Sequence, residues 1–164
     1  MTRRTCRLAL GFLVATAVGA SLASSANAQG MSREAKPMAL EDVQRLTDAG
    51  QFEAAGQAYK AIITQQFEAG VSPAAALRGL ATVEFLQDNK FRAAAALDEL
   101  ASRAAEFGDP ATQIGALLDA ALLYQEMGRR SEVAQRAVRI RRLLQSPALP
   151  SAVRDDVRSR LVER

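Results

Sequence analysis

The side chains of this chain that could do acid–base chemistry are mostly carboxylates. Adjacent acidic pairs occur at Glu41-Asp42, Asp98-Glu99 and Asp155-Asp156. Two carboxylates on opposite sides of a bond can serve as general acid and general base. Neighbouring residues on a helix, however, point about 100° apart and do not share a site. These pairs therefore predict no hydrolytic centre.

Other catalytic and metal-binding groups are scarce. The chain has no histidine and a single cysteine, Cys6, so it offers no Ser-His or Cys-His nucleophile and no ordinary zinc site. Gly50 and Gly56 are six residues apart, but no Gly-Lys-Ser/Thr triplet follows them, as a phosphate-binding loop would require. The sequence thus predicts a protein that is not an enzyme and holds no cofactor or metal.

The amino-terminal segment has the features of a secretory signal peptide. Arginines come first, an apolar run covers residues 8–20, and the small residues Ala26-Asn27-Ala28 follow. The apolar run is too short for a comfortable membrane span. We therefore predict cleavage after Ala28 and export to the periplasm or the cell exterior. A retained amino-terminal anchor is the alternative.

Cleavage would change the character of the chain. The net charge of +3 comes entirely from arginines that precede residue 29, so the product would be neutral. A neutral exported protein lacks the basic excess that is typical of nucleic-acid binders. Cys6 would leave with the signal peptide. The rest is predicted to form a short flexible segment at 29–37 and one domain at 38–164, held together by its core without disulfides.

Hydrophobic periodicity predicts an all-α domain. Apolar residues recur at spacings of three and four, as at Ile114, Leu117 and Leu118. No segment alternates between apolar and polar residues as a strand does. The predicted helices span residues 38–49, 52–69, 73–88, 91–107, 110–127, 130–145 and 150–163.

A first set of helix-ending residues recurs at a fixed distance. Gly50, Asn89 and Gly128 are 39 residues apart. Glycine and asparagine are the residues that best tolerate the left-handed conformation that closes a helix. The aromatic residues Phe52 and Phe91 follow at the same spacing. This pattern predicts a structural repeat of nearly 40 residues.

A second set of breaks lies between the members of the first. It consists of Ser72-Pro73, Asp109-Pro110 and Ser146-Pro147, with successive prolines 37 residues apart. Ser72 and Asp109 are expected to cap the helices that follow, and Pro73 and Pro110 are expected to lie in the first turn. Two kinds of break within each period indicate that each repeat contains two helices.

The first repeat resembles the second-helix signature of the tetratricopeptide family at Gly50-x-Phe52-x-x-Ala55-x-x-x-Tyr59. In that family the glycine makes the turn, the first aromatic packs back, the small residue lets helices approach, and the second aromatic fills the gap to the next unit. The resemblance implies an all-α, tetratricopeptide-like solenoid of about three helical hairpins with a carboxyl-terminal capping helix. A plain helix bundle is the alternative.

The later copies depart from this signature. The second keeps Asn89, Phe91 and Ala94 but has Asp98 where Tyr59 stood, and the third keeps Gly128 as its turn. The large residue of each first helix is matched at Leu46, Phe85 and Tyr124.

In the tetratricopeptide family the first helices line a concave groove that binds partners. The resemblance therefore implies a non-catalytic scaffold of the bacterial cell envelope that binds a protein or a peptide. An apolar floor with acidic margins would favour a basic or apolar segment; the alternative is that the apolar members belong to the core. The implied groove residues are Leu40, Glu41, Gln44, Asp48, Val83, Leu86, Gln87, Leu118, Asp119, Leu122 and Glu126.

Two other functions remain open. A basic stripe at Arg136, Arg139 and Arg142 would suit anionic lipid or an envelope polymer, although a solvated helix face explains the same pattern. No aromatic residues interleave with these arginines, so single-stranded nucleic acid is not an expected partner. The third hypothesis is a structural subunit that forms homo-oligomers through apolar helix faces that its own core does not cover.

Overall fold

The structure, a computed structural model, describes residues 38–147 and 149–162. The predicted signal peptide, its cleavage site and the segment 29–37 lie outside these residues. The described part of the chain is helical and contains no strand, which confirms the all-α prediction, and every helix end lies within two residues of its predicted position. The helices are α1 (Leu40–Asp48), α2 (Phe52–Glu68), α3 (Ala74–Leu86), α4 (Lys90–Glu106), α5 (Pro110–Glu126), α6 (Arg130–Leu144) and α7 (Ser151–Val162).

Each of the first six helices packs mainly against its neighbours in the chain. One apolar cluster joins α1, α2 and α3 through residues such as Val43 and Ile62, and a larger one extends from α3 to α7. Helix α4 contributes Ala93, Ala94 and Ala101 to the larger cluster, all almost fully buried. Because these side chains are small, neighbouring helices can approach α4 closely.

Helices α1, α2, α4 and α5 end in the same type of turn. Gly50, Gly70, Gly108 and Gly128 have φ values of +73°, +67°, +68° and +70°. In the first turn the N–H of Gly50 donates to the carbonyl of Thr47 at 3.0 Å, and the next N–H donates to the carbonyl of Leu46 at 2.9 Å. This pair of hydrogen bonds is the Schellman motif, which glycine closes without steric cost.

The prediction that Asn89 closes α3 is wrong. The left-handed residue is Asp88, with φ +60°, and Asn89 precedes α4 with φ −85°. Helix α3 ends early enough for the N–H of Asp88 to reach the carbonyl of Phe85 at 2.9 Å. The Asn89 side chain instead donates from Nδ2 to Oε2 of Glu84 at 3.1 Å. The carboxylate of Glu84 is buried, so this bond partly compensates for its lost hydration.

We expect Asp88→Gly to raise the free energy of unfolding by about 0.5–1 kcal/mol, because a non-glycine residue in the left-handed region is strained. Urea denaturation of the variant and the parent would measure the difference. Asp88→Ala is the matched control, since it removes the carboxylate but keeps the Cβ atom, and it should give no gain. A loss of stability in Asp88→Gly would contradict this account of the turn.

The two predicted helix starts differ in outcome. At α5 the prediction is confirmed, since Asp109 accepts a hydrogen bond from the N–H of Thr112 at 3.0 Å and Pro110 lies in the first turn. Hydrogen bonding from the Thr112 side chain, together with this bond from its backbone N–H, lowers the pKa of Asp109. At α3 the prediction that Ser72 caps the helix is wrong. Pro73 itself precedes the helix, with φ −84° and ψ 20° and a fully buried ring, so α3 begins one residue later.

The repeated positions are alike in some places and different in others. Ala55 and Ala94 are both fully buried. Phe52 is half-buried against the first apolar cluster, whereas Phe91 is 54% exposed. The guanidinium of Arg129 lies over the Phe91 ring, 5.2 Å from its centroid, and partly shields it.

Tyr59 fills a gap between α2 and α3. Its ring is 2% exposed and lies directly on Gly79, where the absence of a side chain makes room for it. Its hydroxyl donates to Oε1 of Gln44 on α1 at 3.3 Å. One aromatic side chain therefore ties the first three helices together.

Candidate functional site

A pocket of about 450 Å³ lies between α3 and α5. The residues of α3 that line it follow one another at spacings of three, one and three positions, so they lie on one face of the helix. The volume lies within the range of ligand-binding pockets. The lining residues are Arg78, Ala81, Thr82 and Phe85 from α3, Leu97 from α4, and Asp119, Leu122, Leu123 and Glu126 from α5.

The residues expected to form a groove are only partly brought together here. Asp119, Leu122 and Glu126 lie in the pocket wall, and Leu118 lines two neighbouring pockets. Val83 must be reassigned to the core, because it is 1% exposed and packs against Gly56 on α2.

The other two groove residues expected from α3 lie outside this pocket. Leu86 is half exposed and Gln87 is partly buried, and the pocket is lined by Arg78, Thr82 and Phe85 in their place. The face of α3 that lines the pocket is thus rotated from the expected one. The spacing of these three residues was visible in the sequence, but it does not show which face the neighbouring helices cover.

The expected groove residues of α1 lie elsewhere. Leu40 lines a separate pocket with Met38, Ile62 and Val71, and Glu41 is exposed. Gln44 accepts from Tyr59 and donates to Oδ1 of Asp48 at 3.0 Å. The described residues therefore place the candidate site between α3 and α5.

The pocket combines an apolar floor with a few charges. Glu126 is paired with Lys90, with 3.0 Å between Oε2 and Nζ, and hydrogen bonding to this carboxylate raises the pKa of Lys90. Among the side chains that the structure describes, neither Arg78 nor Asp119 has an ion-pair partner within 4 Å. One guanidinium and one carboxylate are thus available to a bound segment.

Phe85 is the largest apolar side chain of the pocket. Its ring is 46% exposed although its sequence position suggested a purely structural role. An exposed aromatic ring in a concave site is the kind of side chain that carries binding energy at interfaces. The described residues show no cluster of three or more histidine, cysteine or acidic side chains suited to a metal ion.

The assignment of Arg136 to a free basic stripe is wrong. Its side chain is 13% exposed and forms a two-pronged ion pair with Asp98, in which Nε lies 3.0 Å from Oδ1. Its guanidinium carbon lies 4.4 Å from the centroid of the Tyr124 ring, and the Tyr124 hydroxyl donates to Oδ2 of Asp98 at 3.1 Å. We call these three residues the Asp98–Tyr124–Arg136 cluster. Only Arg139 and Arg142 of the stripe are exposed.

Burial raises the pKa of Tyr124, and the negative charge of Asp98 adds to this effect. Folding then favours the protonated phenol, so its stabilising contribution is complete below the ordinary value of 10.0 and is lost as pH rises through the folded-state pKa. The chain has two tyrosines, so the ultraviolet titration of a Tyr59→Phe variant reports Tyr124 alone. We expect a midpoint above 10. A midpoint at or below that value would contradict the burial of this hydroxyl beside Asp98.

Comparison with family models, curated proteins and solved structures found no match in any of the three. None of the described helices is long and apolar enough to cross a membrane. The role of the protein is therefore inferred from the side chains of the pocket between α3 and α5.

Proposed function

We propose that the protein is a non-catalytic binding scaffold that holds a peptide or protein segment in the pocket between α3 and α5. The observation that carries this proposal is the half-exposed ring of Phe85 beside Leu122, inside a concave site with unpaired charges. Burial of a large apolar side chain by a partner at such a place contributes favourably to the free energy of binding.

The scaffold we propose is a tetratricopeptide-like stack of three helical hairpins followed by α7. Two observations support it: successive helices pack against one another, and the same left-handed turn recurs near residues 50, 88 and 128. A repeat of two helices cannot bury both of its apolar faces alone, so neighbouring repeats must stack.

The chemistry of the pocket defines the segment that would fit. An aromatic or aliphatic side chain would lie against Phe85 and Leu122. A basic residue of the segment would pair with Asp119, and a carboxylate would pair with Arg78. The features of residues 1–28 support export, so we propose that the partner is a protein or peptide of the bacterial cell envelope.

The test is to select binding peptides from a displayed library and to measure their affinity for variants of the protein. Phe85→Ala should weaken binding about tenfold or more, as expected for an interface aromatic. Phe91→Ala is the matched control, since it removes another exposed phenylalanine that lies outside the pocket. Equal affinity for both variants would overturn the proposal.

The alternative of an anionic surface partner rests on the exposure of Arg139 and Arg142. Binding of that kind should weaken steeply as salt rises, whereas binding through Phe85 and Leu122 should persist. Vesicles with anionic lipid, compared with neutral vesicles, would show the difference. Loss of vesicle binding in an Arg139→Gln, Arg142→Gln variant would favour this alternative.

A further inference from the structure

A second apolar groove, of about 530 Å³, runs along α5 and α6. Helix α6 lines it at spacings of three and four residues, which form one continuous stripe. Among the described side chains, the lining includes no acidic residue and one arginine. The lining residues are Leu118, Ala121, Leu122, Gln125, Val133, Ala137, Ile140, Arg141 and Leu144.

A corresponding surface occurs 40 residues earlier in the chain, and the part of it that α4 contributes is buried there. Helices α4 and α6 begin 40 residues apart, at Lys90 and Arg130. Leu97 and Ala101 of α4 are 7% and 0% exposed within the larger apolar cluster, and Leu97 lies beside Leu122 and Leu123 of α5. The counterparts of Leu97 and Ala101 are Ala137 and Arg141 of α6, which are exposed.

The first helices show the same correspondence. Arg78, Ala81, Thr82 and Phe85 of α3 face α5 across the first pocket. The residues 40 positions later, Leu118, Ala121, Leu122 and Gln125 of α5, line the second groove. Helices α5 and α6 therefore present to solvent a surface like the one that α3 and α4 present to α5.

Helix α7 is the next helix of the chain, but its described side chains pack elsewhere. Val157 is buried, and with Val153 it lies beside Ala111 and Gly115 in the amino-terminal half of α5. Ala137 of the α6 stripe is exposed, whereas Ile140, one turn further on, is 6% exposed. Among the described side chains, the stripe is therefore uncovered around Ala137.

Charge indicates what kind of helix would fit. Where α4 meets α5, Lys90 pairs with Glu126 in the last turn of α5. The counterpart of Lys90 is Arg130, which lies at the end of the groove in an adjoining hollow. In the described part of the chain, neither Arg130 nor Arg141 has an ion-pair partner. Arg130 thus lies at one end of an apolar stripe that runs from Val133 to Leu144 over about 16 Å, three helical turns, and Arg141 lies within the stripe near its other end.

We propose that the groove between α5 and α6 binds an amphipathic helix of another protein. That helix carries a stripe of leucine and alanine side chains and a glutamate in its last turn, which pairs with Arg130 as Glu126 pairs with Lys90. This site is separate from the pocket at Phe85, although Leu122 lies on the boundary between the two.

The test uses a fluorescent synthetic peptide of residues 110–126, because α5 packs on α4, the helix that corresponds to α6. Binding to the full-length chain is measured by fluorescence anisotropy. Ala137→Glu should weaken binding at least tenfold by blocking the groove, and Arg130→Glu at least fivefold by removing the ion pair. A peptide with Glu126→Lys should recover affinity for Arg130→Glu. Val138→Glu, which introduces the same charge at an exposed position of α6 outside the groove, should leave binding unchanged.

The following outcomes would overturn the proposal. Absence of saturable binding, or equal binding to Ala137→Glu, would exclude the groove as a helix site. Self-association of the full-length chain that Ala137→Glu abolishes would identify the occupant as a second copy. Phe85→Ala should leave binding of this peptide intact, so failure at one site is distinguishable from failure at the other. Circular dichroism of each variant verifies that it is folded.

Discussion

Gly79→Ala is expected to lower the free energy of unfolding by about 2–3 kcal/mol, the cost of overfilling a packed core. A Cβ atom at Gly79 would lie 2.3 Å from Cζ and 2.4 Å from Cε1 of Tyr59. The Tyr59 ring is 2% exposed and has little room to move. In an open helix the same substitution would stabilise by about 0.5–1 kcal/mol, so the clash must also outweigh this gain.

Gly115→Ala is the control for this prediction. Gly115 lies inside α5, and a Cβ atom there would meet no atom within 4 Å. We expect this variant to be unchanged or more stable by up to about 1 kcal/mol. A Tyr59→Leu background should reduce the cost of Gly79→Ala, because the ring edge is then absent. Equal stability of the Gly79→Ala and Gly115→Ala variants would contradict the close packing of Tyr59 on Gly79.

Asp98→Ala is expected to lower the free energy of unfolding by about 2–3 kcal/mol, because it leaves a mostly buried guanidinium without its carboxylate. In the Asp98–Tyr124–Arg136 cluster, Asp98 accepts hydrogen bonds from both partners. Its loss leaves the Tyr124 hydroxyl without an acceptor as well. Thermal and urea denaturation of the folded variant would measure the effect.

A double-mutant cycle separates the interaction energy of the Asp98–Arg136 ion pair from the cost of burying the two charges. Replacing both partners, as Asp98→Leu with Arg136→Leu, should restore most of the stability, since an apolar pair needs no compensating charge. Glu99→Ala is a suitable control, because Glu99 neighbours Asp98 but pairs on the surface with Arg103. Equal effects of Asp98→Ala and Glu99→Ala would contradict the structural role of the cluster.

The helices were predictable because the sequence marks them locally. Gly50, Gly70, Gly108 and Gly128 supply left-handed closures, and Asp109-Pro110 starts α5. Between these marks, apolar residues recur at the helical period. These turn and capping preferences depend on only a few neighbouring residues, so helix ends can be predicted from the sequence without the tertiary packing.

What the sequence did not predict depends on contacts between distant residues. Asp98 and Arg136 are 38 positions apart, and nothing local distinguishes Arg136 from the exposed Arg139. The face of α3 that lines the pocket is fixed by burial of Val83 against Gly56. The change from Tyr59 to Asp98, 39 positions later, was visible in the sequence, but it did not show that Asp98 pairs with Tyr124 and Arg136.

Because α1 to α6 pack chiefly on their chain neighbours, each terminal helix of the described domain has a neighbouring helix on one side only. Amide hydrogen exchange should therefore be slowest in α4 and α5 and fastest in α1 and α7, with opening that begins at the ends and spreads inward. The pocket at Phe85 then belongs to the slowly exchanging centre. A helix bound across α5 and α6 would reveal itself by slowed exchange in α6, before any change in the middle of the protein.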